Sequence, residues 1–259
     1  MKILKERDKV TTFLKSLKES SHQRLIMLDY DGTLAPFVAD PQCAIPYQGV
    51  VELLNAVSDI KKNRLVIVTG RNAPDILKFL PLNHPFEVFG GHGAERLTHH
   101  GELIRVSLHH AAEKAFVEFK EWAVNSGLER CVEEKYGSIA FHTRGLPEEK
   151  VSSSLHPAKR KMKELAQTAS LEVKDFDGGI ELKVPYINKG KVVDTLVSEA
   201  GPHTLSTYLG DDLTDEDAFK ALGDRGVSVL VRPTLRPTAA DCWIIPPEEL
   251  KMWLKRFII

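Results

Sequence analysis

Short apolar runs that end in polar or glycine-rich turns recur along the chain, with helical patterns between them. Leu25 to Leu28 is the first run, Leu65 to Val68 the second and Phe86 to Phe89 a weaker third, and Leu205 to Leu209 and Val227 to Val231 follow near the other end. Between the first two runs, Val50, Val51, Leu53, Leu54 and Val57 fall at helical spacing, and between the second and third Ile76, Leu77, Phe79 and Leu80 do the same. Buried parallel strands carry continuous apolar stretches because both of their faces are covered. Their alternation with helices predicts a right-handed, Rossmann-like parallel-sheet α/β core.

The middle of the chain breaks that rhythm. Glu113 to Trp122 reads as an amphipathic helix with Phe116, Phe119 and Ala123 on one face. Cys131 to Lys135 and Ser138 to Arg144 read as a hairpin around Tyr136-Gly137. Pro147 to Thr168 is a second, basic helix, expected to be interrupted or kinked at Pro157. Leu171 to Lys174 and Ile180 to Val184 form a further strand pair across Asp177-Gly178-Gly179. These elements predict a smaller α+β domain, residues 110–183, inserted into a core made of 1–109 and 184–259.

Composition narrows the class. With 42% apolar residues in 259, the chain can bury a core, which excludes wholesale disorder. The formal net charge of -1 offers no global attraction to nucleic acid or to an anionic membrane. No apolar run approaches the ~20 residues that span a bilayer. Residues Met1 to Val10 lack the apolar stretch of a signal peptide. Cys43, Cys131 and Cys242 fit neither a disulfide framework nor a zinc site. The expectation is a cytoplasmic, monomeric protein.

Ligands of open α/β sheets bind outside the carboxyl ends of the strands. The first run is followed by Asp29-Tyr30-Asp31-Gly32-Thr33, the second by Thr69-Gly70-Arg71, and Tyr208-Leu209 by Gly210-Asp211-Asp212, with Asp215, Glu216 and Asp217 beyond. Taken singly, each cluster can be an Asp-Gly turn, a helix cap or an acidic helix start. Their joint placement predicts that Asp29, Asp31 and Asp211 converge at one sheet edge. Like charges so close call for a divalent cation, and hard oxygen ligands suit Mg²⁺ rather than zinc.

These motifs resemble those of the haloacid dehalogenase superfamily of phosphatases. Fuller signatures resemble the trehalose-6-phosphate phosphatase family: L-D-Y-D-G-T-L-A-P at 28–36, V-T-G-R at 68–71, G-G-H-G-A-E at 90–95, V-E-E-K…S…H-T-R at 132–144, G-G-I-E-L-K-V-P…N-K-G at 178–190 and G-D-D-L-T-D-E-D-A-F at 210–219. Two positions depart mildly. Thr69 stands where many relatives have Ser, and Thr143 where an aromatic is usual.

The resemblance implies a Mg²⁺-dependent hydrolysis of trehalose 6-phosphate through an aspartyl-phosphate. Asp29 would be the nucleophile and Asp31 the acid and then the base. Mg²⁺ would be held by the Asp29 carboxylate, the Asp31 main-chain carbonyl and Asp211, with Asp212 and Asp215 tuning the site. Thr69 would donate its hydroxyl to the phosphate and Lys189 would neutralise developing charge. Gly70, Arg71 and His92 are candidate substrate-binding residues, with Glu95 a weaker one. The inserted domain would act as a cap, with Glu133, Lys135, Glu181 and Lys183 contacting the sugar. Strand alternation puts Glu133 with Lys135, and Glu181 with Lys183, on shared faces. A cross-strand salt-bridge ladder is the plain alternative. The expected partner is a small-molecule sugar phosphate, with a functional link to a trehalose-6-phosphate synthase.

Other readings are a phosphatase of sucrose or mannosylglycerate phosphate, a phosphomannomutase-like enzyme, and a silent sugar-phosphate sensor. The histidines at 99, 100, 109 and 110 read as surface residues, and the basic face at 150–163 as solvated.

Overall fold

The computed structural model describes residues 1–19, 22–38, 40–143, 145–176 and 178–258. Arg144 and Asp177, which close the expected strand and turn of the middle region, lie outside the described residues. In chain order the elements are β1 (Lys2–Ile3), α1 (Arg7–Ser16), β2 (Arg24–Leu28), α2 (Val50–Ser58), β3 (Asn63–Val68), α3 (Ala73–Phe79), β4 (Glu87–Gly90), β5 (Glu95–Leu97) and β6 (Leu103–Arg105). There follow α4 (His110–Asn125), β7 (Val132–Lys135), β8 (Ser138–His142), α5 (Glu148–Ala169), β9 (Glu172–Phe176) and β10 (Gly179–Lys183). The chain ends with α6 (Lys189–Ala200), β11 (Leu205–Gly210), α7 (Asp215–Leu222), β12 (Gly226–Val231), β13 (Cys242–Ile244) and α8 (Glu248–Leu254).

The chain divides into two compact units, residues 1–104 with 188–259, and residues 105–187. The first holds a sheet ordered β1-β13-β12-β11-β2-β3-β4-β5-β6, parallel from β13 to β4 and antiparallel where β1 and β5 join. The apolar run of β2 serves two cores at once. Ile26 and Leu28 pack with α1, α2, α3 and α8, while Leu25 and Met27 face α6 and α7. That period-2 division is why the run reads as continuous. Strand order proceeds outward from β2 to β3 and β4, then returns to β11 on the other side of β2. The reversal between β2 and β11 is the topological switch point at which α/β sheets open a crevice.

At the amino ends of β3 and β4 four charges close on one another. Glu87 accepts hydrogen bonds from Arg64 (2.7 and 3.1 Å) and Arg96 (2.7 and 3.1 Å). Glu199, at the end of α6, accepts from the same two guanidiniums.

The second unit is a four-stranded antiparallel sheet, β7-β8-β10-β9, with α4 and α5 packed on its apolar face. Phe116, Phe119 and Ala123 of α4 are buried, as are Ala158, Met162 and Leu165 of α5 and Ile139, Phe141, Ile180 and Leu182 of the sheet. Helix α5 runs through Pro157, so of the expected interruption or kink the interruption does not occur. Buried residues on both sides of the proline, Ser154 and Ala158, pin the helix across the missing N–H. The unit also extends past the expected limits of 110 and 183. Arg105 stacks over the Tyr136 ring, the Tyr136 hydroxyl donates to the Val106 carbonyl (2.6 Å), and Val184 N–H donates to the Gly137 carbonyl (3.0 Å). Those contacts across long sequence separations bind the flanking residues to this unit.

Candidate active site

Asp29 follows β2 directly, and its N–H is fixed by the Leu209 carbonyl of the neighbouring β11 (2.9 Å). Its carboxylate accepts from Lys189 Nζ (2.6 Å) and from the Thr33 hydroxyl (3.2 Å). Lys189 opens α6, whose first turn is capped by the Asn188 side chain accepting from Lys191 N–H (3.0 Å). The cap delivers the buried ammonium to a second carboxylate, Asp215, at 2.7 Å. Asp215 is a fully buried hub. One oxygen accepts from Lys189 and from the Tyr208 hydroxyl (2.7 Å), the other from the N–H groups of Asp211 and Asp212 (both 2.9 Å).

Asp211 completes the cluster: carboxylate oxygens of Asp29, Asp211 and Asp215 all lie within 4.8 Å of one another. Gly32 permits this approach. Its φ is +83°, and a Cβ there would sit 2.2 Å from Asp211 Oδ2. The glycine of the Asp-x-Asp-Gly motif therefore makes room for a carboxylate arriving from β11.

The electrostatics are unbalanced. Three carboxylates meet one ammonium in a buried place. Burial pushes Asp29 upward, with Lys189 opposing and Asp215 adding to the rise. Asp211 is pushed up by burial and by the neighbouring Asp29 and Asp215. Burial pulls Lys189 down, but Asp215 and Asp29 more than reverse this and hold it charged. Asp211 Oδ1 is buried without a hydrogen-bond partner. A donor set of hard carboxylate oxygens with surplus negative charge and an orphaned oxygen fits a divalent cation.

One expectation is corrected here. Asp31 does not bring its carboxylate into the cluster; Asp215 takes that place. Arg71 grips Asp31 in a bidentate pair, Nε to Oδ2 at 2.7 Å and Nη2 to Oδ1 at 2.6 Å. The guanidinium is itself positioned over the Phe79 ring (4.6 Å) and the Tyr30 ring (5.3 Å). A planar donor fork matches a carboxylate better than a crowded carboxylate cluster does.

The remaining predicted residues of this unit surround that pair. Thr69 is buried at the end of β3, and its Oγ1 accepts from Arg71 N–H (3.1 Å). The His92 ring lies against Gly70, where a Cβ would come within 2.7 Å of it. His92 N–H donates to the Thr69 carbonyl (2.8 Å). Glu95 is buried and accepts from Ala73 N–H (3.1 Å), serving the start of α3. Sequence reasoning missed Tyr208, Arg232 and Arg236. Arg232 and Arg236 each donate to the Asp211 carbonyl (3.2 Å), and Arg236 also to that of Asp212 (2.8 Å). Only a tyrosine inside an apolar strand gave any signal for Tyr208; the arginines gave none.

In the second unit, register places Glu133, Lys135, Glu181 and Lys183 on one sheet face. Glu133 and Glu181 both pair with Ala140, while Lys135 and Lys183 both pair with Ser138. Glu133 accepts from His142 Nε2 at 2.6 Å and lies 3.4 Å from Lys135 Nζ. The His142 contact, with Lys135 assisting, holds the Glu133 carboxyl down at about 2 against the opposing effect of burial. Ser138 Oγ donates to Glu181 (2.7 Å), and Lys183 is buried.

Among the described residues, no helix is long and apolar enough to cross a membrane. A sequence model of the trehalose-phosphatase family matches residues 27–241. Trehalose 6-phosphate phosphatase RA3 of Zea mays is 26% identical over 257 residues, covering 90% of this chain and 69% of the maize protein. Longer relatives are matched over a smaller share; the chain spans 26% of a trehalose-phosphatase of Schizosaccharomyces pombe. The C-terminal domain of C. albicans trehalose-6-phosphate phosphatase superposes with a TM-score of 0.76 at 25% identity, covering 100% of this chain and 98% of that one. A Bacteroides thetaiotaomicron phosphatase of the haloalkanoate (HAD) superfamily shares the fold, with a TM-score of 0.62 at 18% identity over 93% of this chain and 98% of that one. The matched span carries the carboxylate cluster, its lysine and the whole of the second unit, and on that ground the chain belongs to the trehalose-phosphatase family, phosphoric monoester hydrolases built on the haloacid dehalogenase fold.

Proposed function

We propose that the chain is a Mg²⁺-dependent phosphatase that converts trehalose 6-phosphate into trehalose and inorganic phosphate. The observation that carries this reading is the buried Asp29–Asp211–Asp215 cluster with Lys189, at the sheet's switch point, inside the span matched by the family. A phosphate monoester resists attack because its oxygens repel an incoming anion, so the site must first supply positive charge. Lys189 provides part of it, and the Thr69 hydroxyl donates to a phosphate oxygen. Asp29, Asp211 and the Asp31 carbonyl would hold Mg²⁺, which would supply charge to offset that of the phosphate, while Asp212 and Asp215 would orient the ligands.

Asp29 attacks phosphorus, forming an aspartyl-phosphate as the bond to the sugar oxygen breaks, and Asp31 delivers a proton to that oxygen. Asp31 then takes a proton from water, whose oxygen displaces phosphate from Asp29 and restores the free carboxylate. Arg71, which occupies both Asp31 oxygens here, must release one of them for these proton transfers. Glu133, Lys135, Glu181 and Lys183 bind sugar hydroxyls, which lets the protein reject monoesters that lack them.

The test is phosphate release with and without Mg²⁺ from trehalose 6-phosphate, sucrose 6-phosphate, a mannosylglycerate phosphate and glucose 6-phosphate, with Asp29→Asn as control. Mg²⁺-dependent turnover of trehalose 6-phosphate above the others, lost in the control, supports the reading. Preference for another glycoside overturns the substrate, and release from none overturns the reaction.

A further inference from the structure

Across the polar face of the second unit's sheet, His142, Gly179 and Phe176 stand in one row, because Gly179 pairs with His142 on one side and with Phe176 on the other. Gly179 leaves a gap that the Phe176 ring fills. A Cβ on Gly179 would lie 2.5 Å from Phe176 Cζ and 2.2 Å from the Phe141 carbonyl. The ring thus crosses the glycine and meets His142 edge-on, with centroids 5.2 Å apart and planes at 64°. Phe176 remains 39% exposed in a row otherwise surrounded by charge. An isolated exposed phenylalanine needs no explanation, but this one reaches over a glycine and is braced by a second ring.

Polar groups frame it. His142 Nε2 is tied to Glu133 Oε2 at 2.6 Å, Glu133 Oε1 faces Lys135 at 3.4 Å, and Glu181 is steadied by Ser138 at 2.7 Å. A pyranose ring has the matching composition: one face of polarised C–H groups, attracted to the negative face of an aromatic ring, and a rim of hydroxyls for carboxylates and an ammonium. We propose that Phe176, braced by His142 over Gly179, is a stacking platform for a pyranose ring of the substrate, with Glu133, Lys135 and Glu181 taking its hydroxyls. The proposal rests on the reading of the substrate as a sugar phosphate and assigns the apolar half of its recognition.

Phe176→Ala and Phe176→Tyr are compared with the unmodified protein on trehalose 6-phosphate and on acetyl phosphate, which carries no ring. Phe176 sits on the edge strand β9 and its truncation leaves the buried face intact; thermal melting verifies folding. Phe176→Ala is expected to lower kcat/KM for trehalose 6-phosphate about tenfold, mainly through KM, and to leave acetyl phosphate unchanged. Phe176→Tyr keeps the ring and stays within about twofold. Equal losses on both substrates, or no loss on the sugar phosphate, overturn the platform. Saturation-transfer NMR with trehalose alone provides a readout independent of catalysis. Transfer to the sugar C–H protons is expected in the unmodified protein and not in Phe176→Ala, and its absence from the unmodified protein also overturns the proposal. Lack of turnover of trehalose 6-phosphate combined with a Phe176-dependent NMR signal overturns the functional reading and leaves the platform standing.

Discussion

Two ionic clusters sit at opposite ends of the same parallel sheet, built from the same kinds of residue, and they behave in opposite ways. At the amino ends of β3 and β4, Glu87 and Glu199 share Arg64 and Arg96, two negative charges with two positive. Burial pushes Glu87 up, but hydrogen bonds from Arg64 and Arg96 more than reverse it, and its carboxyl lies below the usual range. Glu199 is lowered by the same two partners. At the carboxyl ends of β2 and β11, three carboxylates share one lysine, and burial drives Asp29 and Asp211 upward. A closed set of charges staples secondary structure together; an open set leaves a vacancy of positive charge that a ligand fills. Completeness of pairing, more than burial or charge count, separates a structural network from a reactive site in this fold.

Substitutions at the two ends should therefore change stability with opposite signs. Asp211→Asn removes a carboxylate that has no counter-charge of its own. Turnover is expected to fall by at least about 10²-fold, with loss of the thermal shift that Mg²⁺ gives the unmodified protein. Without metal, the same variant should melt about 2–4 °C higher than the unmodified protein, the shift for about 1 kcal/mol in a chain of this size. Differential scanning calorimetry in chelator checks it, and a lower melting point would contradict the account of surplus charge.

Glu87→Ala breaks the closed network. We expect a loss of about 3 kcal/mol in urea unfolding, since two guanidiniums lose a shared, 7% exposed carboxylate, with turnover of folded protein little changed. The pH dependence has a definite sign. A carboxyl whose pKa is depressed on folding stabilises fully above its unfolded value of about 4.3, and that contribution disappears as pH falls through the lowered native value. Unmodified protein should thus lose stability below about pH 4 more steeply than Glu87→Ala does. Parallel acid-unfolding curves would sink the argument. The smallest effect is expected from Tyr208→Phe, which removes one of four hydrogen bonds to Asp215. It should cost about 1 kcal/mol and lower turnover only modestly, because Lys189 still anchors the carboxylate.

The parts legible in the sequence were those written in contiguous residues. Continuous apolar runs mark β2, β3, β11 and β12 because each strand is covered on both faces, and the polar residues just after them mark the crevice. The outermost strands β1 and β6 and their neighbours β13 and β5 are two or three residues long and show no periodicity to read. The destination of a side chain was harder still. Asp31 shares a motif with Asp29 but turns to Arg71, whose guanidinium lies over the rings of Phe79 and Tyr30. The resemblance gives Asp215 a tuning role beside the metal, and its position at the start of α7 makes it the hub of the cluster's hydrogen bonds. Likewise Phe176 and His142 are far apart in the chain and adjacent only through the register at Gly179.

The division of the core into two sequence segments has a consequence for how the molecule is assembled. Residues 105–187 are contiguous, and their sheet joins two local hairpins, β7–β8 and β9–β10, through the β8–β10 pairing within the same segment, which suits independent folding. The first unit cannot close in that way. Strand β2 needs β11 at its side, and Asp29 meets Lys189 across 160 residues. During synthesis Asp29 leaves the ribosome well before Lys189, the neighbouring strand or Asp211 has been made, and the inserted unit is completed in between. The carboxylate cluster thus comes into being only after Asp215 has been made, and a chain truncated before Lys189 carries the aspartates of its first motif without the lysine and carboxylates that surround Asp29.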